Sequence, residues 1–559
     1  MAFHQFRPSS HFIAPNSWSN DPCGAVYVPE TQEYLFCYQW NPGTTEGGNC
    51  AWGMAKSKDL IQWEDCTPAL RNGDSYDRLG VFSGSIVSRL IDERRVLFLF
   101  YTSVSALPIH WSKDYLEGCE SQSVAFSTNF GISWHRYDSN PLMTTPPKGP
   151  STTGWRDPFV SRWEGLSTLL ESDPATNYMM IASGEKGKGS QLHLYESKNL
   201  LDWEYLSTVL SVEANSKVSD TSDIRFGMNF ECASFFSIGQ RHYIIVGVEE
   251  DSNSFRYNNH CIMWLSGNLV LEHGKPKFVI KSHGLLDHGI SYAAHIFRDA
   301  EGRLLQLSWV DEAAQKKVIS KQGWAGCLAH PRELYEVERP VNTSVKNKDI
   351  WRVDARSGIM TTLGVRPAHQ VESLRPITRP LSLQNFPSIK SNNFEFEAIF
   401  IAPFEGDIFR FKVRECPNSS EVTKIIFDTQ NNQVSVDRSQ SSLESLGITT
   451  NEIGNFELLP GEDLKVRVFV DNSVLEVYIN DRFALTSRIY PTLETSTGAS
   501  YDFGGFDEQK VKFHCWEGLR NAWPKREVNE SFVEVSAETL DERLGLKVAE
   551  STVKTAIYA

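Results

Sequence analysis

The chain has 559 residues, with 55 Lys and Arg against 70 Asp and Glu and a formal charge of −15. Phosphate binding needs a basic footprint, so this balance excludes nucleic acid and anionic membrane as main partners. No apolar run approaches the ~18 residues of a membrane span; the longest are short, such as Val96–Tyr101.

The N-terminus, Met1 to Pro8, has no apolar core of a secretory signal. A cytoplasmic location is expected, with secretion the alternative for a trimmed N-terminus. The ten cysteines are scattered without a CxxC pair, which reads as free thiols rather than a disulfide framework.

An internal repeat organises the first part of the chain. Ser57-Lys-Asp-Leu-Ile-Gln-Trp63 recurs as Ser197-Lys-Asn-Leu-Leu-Asp-Trp203, with the one-residue-longer Ser127-Thr-Asn-Phe-Gly-Ile-Ser-Trp134 between them. The steps between the tryptophans are 71 and 69 residues. Each copy lies between strand-like runs, and further β-branched and aromatic runs such as Tyr178–Ala182 and His242–Val248 fall between copies. About four strands per period predicts propeller blades, five of them over residues 1–345. Residues 346–380, with Pro367, Pro376 and Pro380, read as a linker. Alternating segments Phe394–Ile401, Leu464–Val470 and Val474–Ile479, the last two joined by Asp471-Asn472-Ser473, predict a β-sandwich over 381–525. In the tail, 526–559, Leu540, Leu544 and Val548 stand four apart and suggest a short helix or arm. The expected fold is all-β, a five-bladed β-propeller followed by a C-terminal β-sandwich.

The repeat also aligns the acidic residues. Asp21, Asp157 and Glu231 begin new blades in register with Phe82-Ser-Gly-Ser85 and Ser291-Tyr-Ala-Ala294. Equivalent positions of a closed propeller face one channel, so these three carboxylates should converge. Their repulsion and desolvation should raise at least one pKa and leave a protonated acid beside an ionised base or nucleophile. That division of labour is what glycoside cleavage needs. Against each motif alone stands a plain reading, that Asp-Pro pairs are common in turns.

Trp18-Ser-Asn-Asp-Pro-Cys-Gly24 resembles the nucleophile motif of glycoside hydrolase family 32, the β-fructofuranosidases. Tyr38-Gln-Trp-Asn-Pro42, Trp52-Gly-Met-Ala55, Phe82-Ser-Gly-Ser85, Trp155-Arg-Asp-Pro158 and Phe230-Glu-Cys232 follow in that family's order. Trp324-Ala-Gly326 with Pro331-Arg-Glu-Leu334 closes the series, and Asp471–Asn480 resembles the family's sandwich, so the likeness spans about residues 10 to 525. It implies Asp21 as nucleophile, Glu231 as acid/base, and Asp157 as the group that binds fructose hydroxyls and holds the transition state. It implies Arg156 as a positive charge near Glu231, and Asn20, Gln39, Trp52, Phe82 and Ser83 as the fructose subsite. Trp52 and Phe82 can equally be blade core. Cys23 replaces the Asn usual in many invertases. The segment Tyr101–Ser112 followed by Glu120-Ser-Gln122 resembles the fungal fructosyltransferase-like branch, in which an acidic residue and a histidine shape the acceptor side. Glu249, His260 and His110 are the nearest candidates, and an ordinary hydrogen-bonded histidine is the plain alternative for the last two.

The resemblance thus implies sucrose cleavage through a fructosyl-enzyme, with transfer to sucrose giving short fructooligosaccharides such as kestose. Small sugars are the expected partners, with no nucleic acid and no membrane; a homodimer is left open. No cofactor is expected, and no metal, since there is no H-E-x-x-H or spaced Cys/His set. Gly184–Ser190 lacks the Gly-Lys-Ser/Thr ending of a phosphate loop. A non-catalytic sugar-binding protein on the same fold, an exo-acting fructan hydrolase and an inverting arabinan glycosidase are the other readings.

Overall fold

The repeated Ser-x-Asx segment builds the same hairpin three times. In the computed structural model, which describes residues 2–220, 223–251, 259–342 and 344–526, Ser57 Oγ accepts the Leu60 amide and Asp59 accepts those of Ile61 and Gln62. Ser197 and Asn199 do the same for Leu200, Leu201 and Asp202, and Ser127 and Asn129 for Gly131 and Ser133. Such side-chain-to-backbone bonds favour a tight turn. Leu60, Phe130 and Leu200 adopt positive φ there. Each turn joins the third strand of a sheet to its fourth.

The first two sheets contain Ser17–Val28, Glu33–Asn41, Ala51–Ser57 and Trp63–Leu70, then Gly80–Ile91, Arg94–Val104, Glu120–Ser127 and His135–Arg136. The third and fourth run over Thr152–Ser161 to Glu204–Ser211 and Asn229–Ile238 to Lys275–Leu285. The fifth uses Ser291–Arg298, Leu304–Val310, Arg332–Pro340 and Ile359–Pro367, with Arg352–Asp354 at its edge. The leading strands of the five sheets pack against one another in a ring, making a five-bladed propeller. Closure comes from Trp324–Ala325, which pairs in parallel with Ser17–Trp18. Gly326, at φ 78, permits this approach, because a Cβ there would lie 2.0 Å from the Ser19 carbonyl oxygen.

Part of residues 346–380, expected as a linker from their prolines, is blade instead. Arg352–Asp354 and Ile359–Pro367 belong to the fifth blade, with Met360, Leu363 and Val365 buried. Pro340 and Pro367 end strands and so remove no interior ladder bond. The sandwich packs a sheet containing Asn393–Phe400, Leu464–Asp471 and Val474–Ile479 against one built on Ile408–Glu415. Phe394, Phe396 and Phe400 meet Phe409 and Phe411 in its core. The expected helix around Leu540 lies outside the described residues. The cysteines form no disulfide among the described residues.

The sandwich grips the start of the propeller through one carboxylate. Asp471, fully buried in the hairpin turn, accepts from the amides of Ser9, Ser10 and His11, from the Ser10 hydroxyl, and from His11 Nδ1 at 2.7 Å. Asn472 Nδ2 and Ser473 Oγ donate to the carbonyls of Gln5 and Phe6. His11 Nε2 meets Glu476, which also pairs with Arg332 of the fifth blade. Burial opposes ionisation of Asp471, but the bonds from His11 and the strap hold its pKa far below the usual carboxylate range. Burial likewise opposes the His11 charge, yet its bonds to Asp471 and Glu476 raise its pKa to about 8.

A raised histidine pKa stabilises fully below its unfolded value and ceases to do so as pH rises through the folded one. The thermal midpoint should therefore decline between about pH 6.5 and 8. Asp471→Asn should cost about 3 kcal/mol or more near pH 6.5 and flatten that decline. Thermal unfolding of both proteins across this range checks it; equal midpoints would contradict the clamp.

Candidate active site

A β-bulge interrupts the leading strand of every blade at the same level. Pairing slips between Ser19 and Gly24, between Phe82 and Gly84, between Arg156 and Phe159, between Glu231 and Ser234, and between Tyr292 and His295. A bulge adds a residue to one strand and re-aims its side chain. Local sequence allows it: Pro22 and Pro158 supply no ladder amide, and a Cβ at Gly84 would lie 1.9 Å from the Phe100 carbonyl oxygen. Asp157, Cys232 and Ala293 take up positive φ at these breaks. The bulges turn Asp21, Asp157 and Glu231 into one cavity, which Asn20, Gln39, Cys50, Phe82, Ser83, Ile109, His110, Arg156 and Glu249 also line.

Each carboxylate is held differently. Asp21 accepts from Ser83 Oγ at 2.7 Å and from Asn20 Nδ2 at 3.0 Å, with the Cys232 thiol 3.5 Å away. Burial pushes its pKa up to about 6; the Glu231 charge adds to this, and the bonds from Ser83, Cys232 and Asn20 oppose it. Asp157 accepts the Cys232 amide at 2.8 Å, while its own amide donates to Thr102 Oγ1. Burial and the Glu231 charge raise its pKa. Glu231 accepts from Arg156 Nη1 and from the Tyr292 hydroxyl, both at 2.8 Å. Glu249 accepts from Asn229 Nδ2 at 2.8 Å and lies 3.9 Å from Arg156; burial and the Glu231 charge raise its pKa.

Two side chains in the cavity keep an acceptor unused. Asn20 Oδ1 and Gln39 Oε1 have no hydrogen-bond partner, although Gln39 Nε2 donates to the Val81 carbonyl. Buried acceptors without donors suit a ligand rich in hydroxyls. Phe82 gives the cavity an apolar wall. His110 also lines the cavity, its Nδ1 2.7 Å from Ser112 Oγ, and burial lowers its pKa.

Two predicted site residues do not line the cavity. Trp52 is fully buried in the first-blade core, and its indole nitrogen donates to the Phe82 carbonyl, so it backs the cavity wall. His260 stacks on Tyr292 with ring centroids 3.9 Å apart, and burial lowers its pKa to about 3. Cys23 is buried behind the strand, 3.4 Å from the Asp21 carbonyl. Sequence reasoning missed Tyr292, although it occupies the fifth-blade position of the aligned series. Among the described residues, His11, His330 and Glu476 bring possible metal-ligand atoms within 4.8 Å of one another. They lie in the domain clamp, not in this cavity; both His11 nitrogens and His330 Nδ1 already hydrogen-bond to carboxylates, while His330 Nε2 has no hydrogen-bond partner.

Two profiles of known families match the chain. The "Glycosyl hydrolases family 32 N-terminal domain" covers residues 11–344, and "Glycosyl hydrolases family 32 C terminal" covers 367–517. A sucrose-6-phosphate hydrolase of Zymomonas mobilis is 27% identical over 520 residues, 90% of each chain. A raffinose invertase of Escherichia coli is 28% identical over 87% of this chain and 90% of its own. Among solved structures, a β-fructofuranosidase of Aspergillus kawachii complexed with glycerol superimposes with a TM-score of 0.82 at 27% identity, covering 94% of this chain and 96% of that one. A fructosyltransferase of A. japonicus gives 0.80 at 26% identity, covering 94% and 97%.

The Ser83 bond tests the electrostatics of this site. It favours ionised Asp21, so Ser83→Ala should raise the Asp21 pKa above about 6. Activity that needs the carboxylate should then fall at higher pH on the acid side. The pH profile of kcat/KM checks this; an acid limb that stays or moves down would contradict it.

Proposed function

The chain belongs to glycosyl hydrolase family 32, and from that premise we propose that it is a retaining β-fructofuranosidase acting on sucrose, with transfer of fructose to a second sucrose as a further outcome. Its standing as a glycoside hydrolase of invertase type follows from the family. The observation that carries the finer reading is that Asp21 and Glu231 line one cavity and are held by different partners. Asp21 is fixed by Ser83, Asn20 and the Cys232 thiol, and Glu231 is bridged to a guanidinium and a phenol.

In this reading Asp21 attacks the anomeric carbon of the fructosyl unit while Glu231 protonates the departing glucose oxygen. Arg156 and Tyr292 orient the Glu231 carboxyl toward that oxygen. Asp157, pinned by the Cys232 amide, accepts fructose hydroxyls and faces the positive charge that develops on the ring. Asn20 Oδ1 and Gln39 Oε1 take further hydroxyl protons. The fructosyl-enzyme ester then yields to water or to a sugar hydroxyl, which Glu231, now a carboxylate, deprotonates. Hydrolysis and transfer share the first step and differ only in the acceptor. Glu249 and His110, which line the same cavity, are the candidates to meet the acceptor.

Charge favours the neutral sugar over its 6-phosphate. Four carboxylates line the cavity against one guanidinium, and that guanidinium already serves Glu120 and Glu231. A phosphate dianion would enter an acidic field without a free partner.

Asp21→Asn and Glu231→Gln should each lower kcat on sucrose by about 10³-fold or more with unchanged circular dichroism. Near wild-type cleavage by either would refute the assignment. Transfer predicts that glucose release exceeds free fructose increasingly as sucrose concentration rises. Equal amounts throughout would leave a hydrolase alone, preference for fructan would indicate the exo-acting reading, and no glucose would indicate a binding protein. Sucrose 6-phosphate should show the lower kcat/KM of the two sucrose forms.

A further inference from the structure

We propose that Glu120 is a positioning residue of this active site, holding Arg156 against the acid/base Glu231 while closing the loop that carries His110. The inference rests on the assignment of Glu231 as acid/base. Glu120 is fully buried and lies outside the cavity lining. Its two oxygens are divided between two neighbours on the leading strand of the third blade. Oε1 accepts from Arg156 Nε at 2.6 Å, and Oε2 accepts from the Trp155 amide at 2.8 Å. Both the strand and the arginine side chain are therefore fixed by one carboxylate of the second blade.

Arg156 has little freedom left. Nε is committed to Glu120 and Nη1 to Glu231, and the guanidinium lies over Gly154, where a Cβ would sit 2.7 Å from Nη2. A planar fork with two charged acceptors sets direction as well as charge. Glu120 also pairs with Val104 across the sheet, and so closes the loop of residues 105–119. Ser105 bonds twice across the base of that loop, to the carbonyls of Cys119 and Gly118. The same loop supplies Ile109 and His110 to the lining of the cavity. One buried side chain thus ties part of the cavity wall to the orientation of its acid.

The charge of Glu120 matters beyond its geometry. Arg156 faces Glu120, Glu231, Glu249 and Asp157. Glu231 itself faces Arg156 and Tyr292, with Asp21, Asp157 and Glu249 as further anions. The neutral groups Cys232 and His110 complete its surroundings. On the far side Glu120 meets Tyr115 and the Cys119 thiol, whose pKa values rise through burial first and the Glu120 charge second. Removing the Glu120 charge takes from Arg156 one of its two direct carboxylate partners and frees the guanidinium to turn away from Glu231. A displaced Glu231 slows the step that needs its proton and spares one that does not.

The test is Glu120→Gln with Glu120→Asp, both assayed on sucrose and on a fructofuranoside whose leaving group needs no protonation. In Glu120→Gln an amide NH₂ must face either Arg156 or the Trp155 amide, a donor against a donor. Its kcat on sucrose should fall about 10-fold or more, while fructosyl transfer from the second substrate should fall much less. Glu120→Asp keeps the charge but shortens the reach, so it should show the same split. A Glu120→Gln enzyme with wild-type kcat on sucrose overturns the proposal. So does an equal loss on both substrates, which would mean a structural role alone. If Glu120→Gln does not fold, a wild-type kcat in Glu120→Asp overturns it. Failure of the unaltered protein to cleave sucrose or any fructoside would instead defeat the functional reading itself.

Discussion

A single buried guanidinium makes the cavity tenable. Four carboxylates converge on it from three blades, and water can solvate little of their charge. Arg156 supplies the compensating charge and direct bonds to Glu231 and Glu120. Burial works against its own charge, but these acids outweigh the penalty and raise its pKa well above the ordinary value. Such an arrangement is costly unless each partner stays in place, because a buried ion that loses its counter-ion is strongly destabilising. The bulges, the clamp and the blade closure all serve to keep these groups in register.

The five bulges show how a repetitive fold yields an asymmetric site. Each leading strand breaks at an equivalent level, yet the residues presented are Asp21, Ser83, Asp157, Glu231 and Tyr292. An aspartate, a serine hydroxyl, a second aspartate, a glutamate and a phenol thus occupy related positions on five blades. Position follows from the repeat, whereas chemistry follows from one residue per blade. The sandwich stabilises this layout from outside. Asp471 collects the strap of residues 9–11, which runs directly into the strand that carries Asn20 and Asp21.

Much of this layout is legible in the amino-acid sequence because it is periodic. The Ser-x-Asx-Trp segments mark hairpins through local hydrogen bonding, and their spacing aligns the three carboxylates. What sequence does not supply is long-range or depends on depth. Asp471 reads as a turn residue, and nothing near it in sequence announces a partner at Ser10 or His11. Trp52 and Phe82 carry similar apolar signals, but only the structure separates the wall from its support. The prolines of 346–380 suggest a break, whereas strand ends accommodate them equally well. Tyr292 stands in the aligned series without an acidic side chain to draw attention, and Glu120 acts through a residue in another blade.

The proposed mechanism requires Asp21 to form a covalent bond to the fructosyl unit while Glu231 handles the proton. The most direct measurement is mass spectrometry of Glu231→Gln protein quenched during turnover of a fructofuranoside whose leaving group needs no protonation. In this variant the first step proceeds and hydrolysis of the ester is slowed. The account predicts a fructosyl adduct on the peptide that contains Asp21, lost when Asp21 is also replaced by Asn. An adduct on Asp157, or turnover of this substrate with inversion and no adduct, would contradict it.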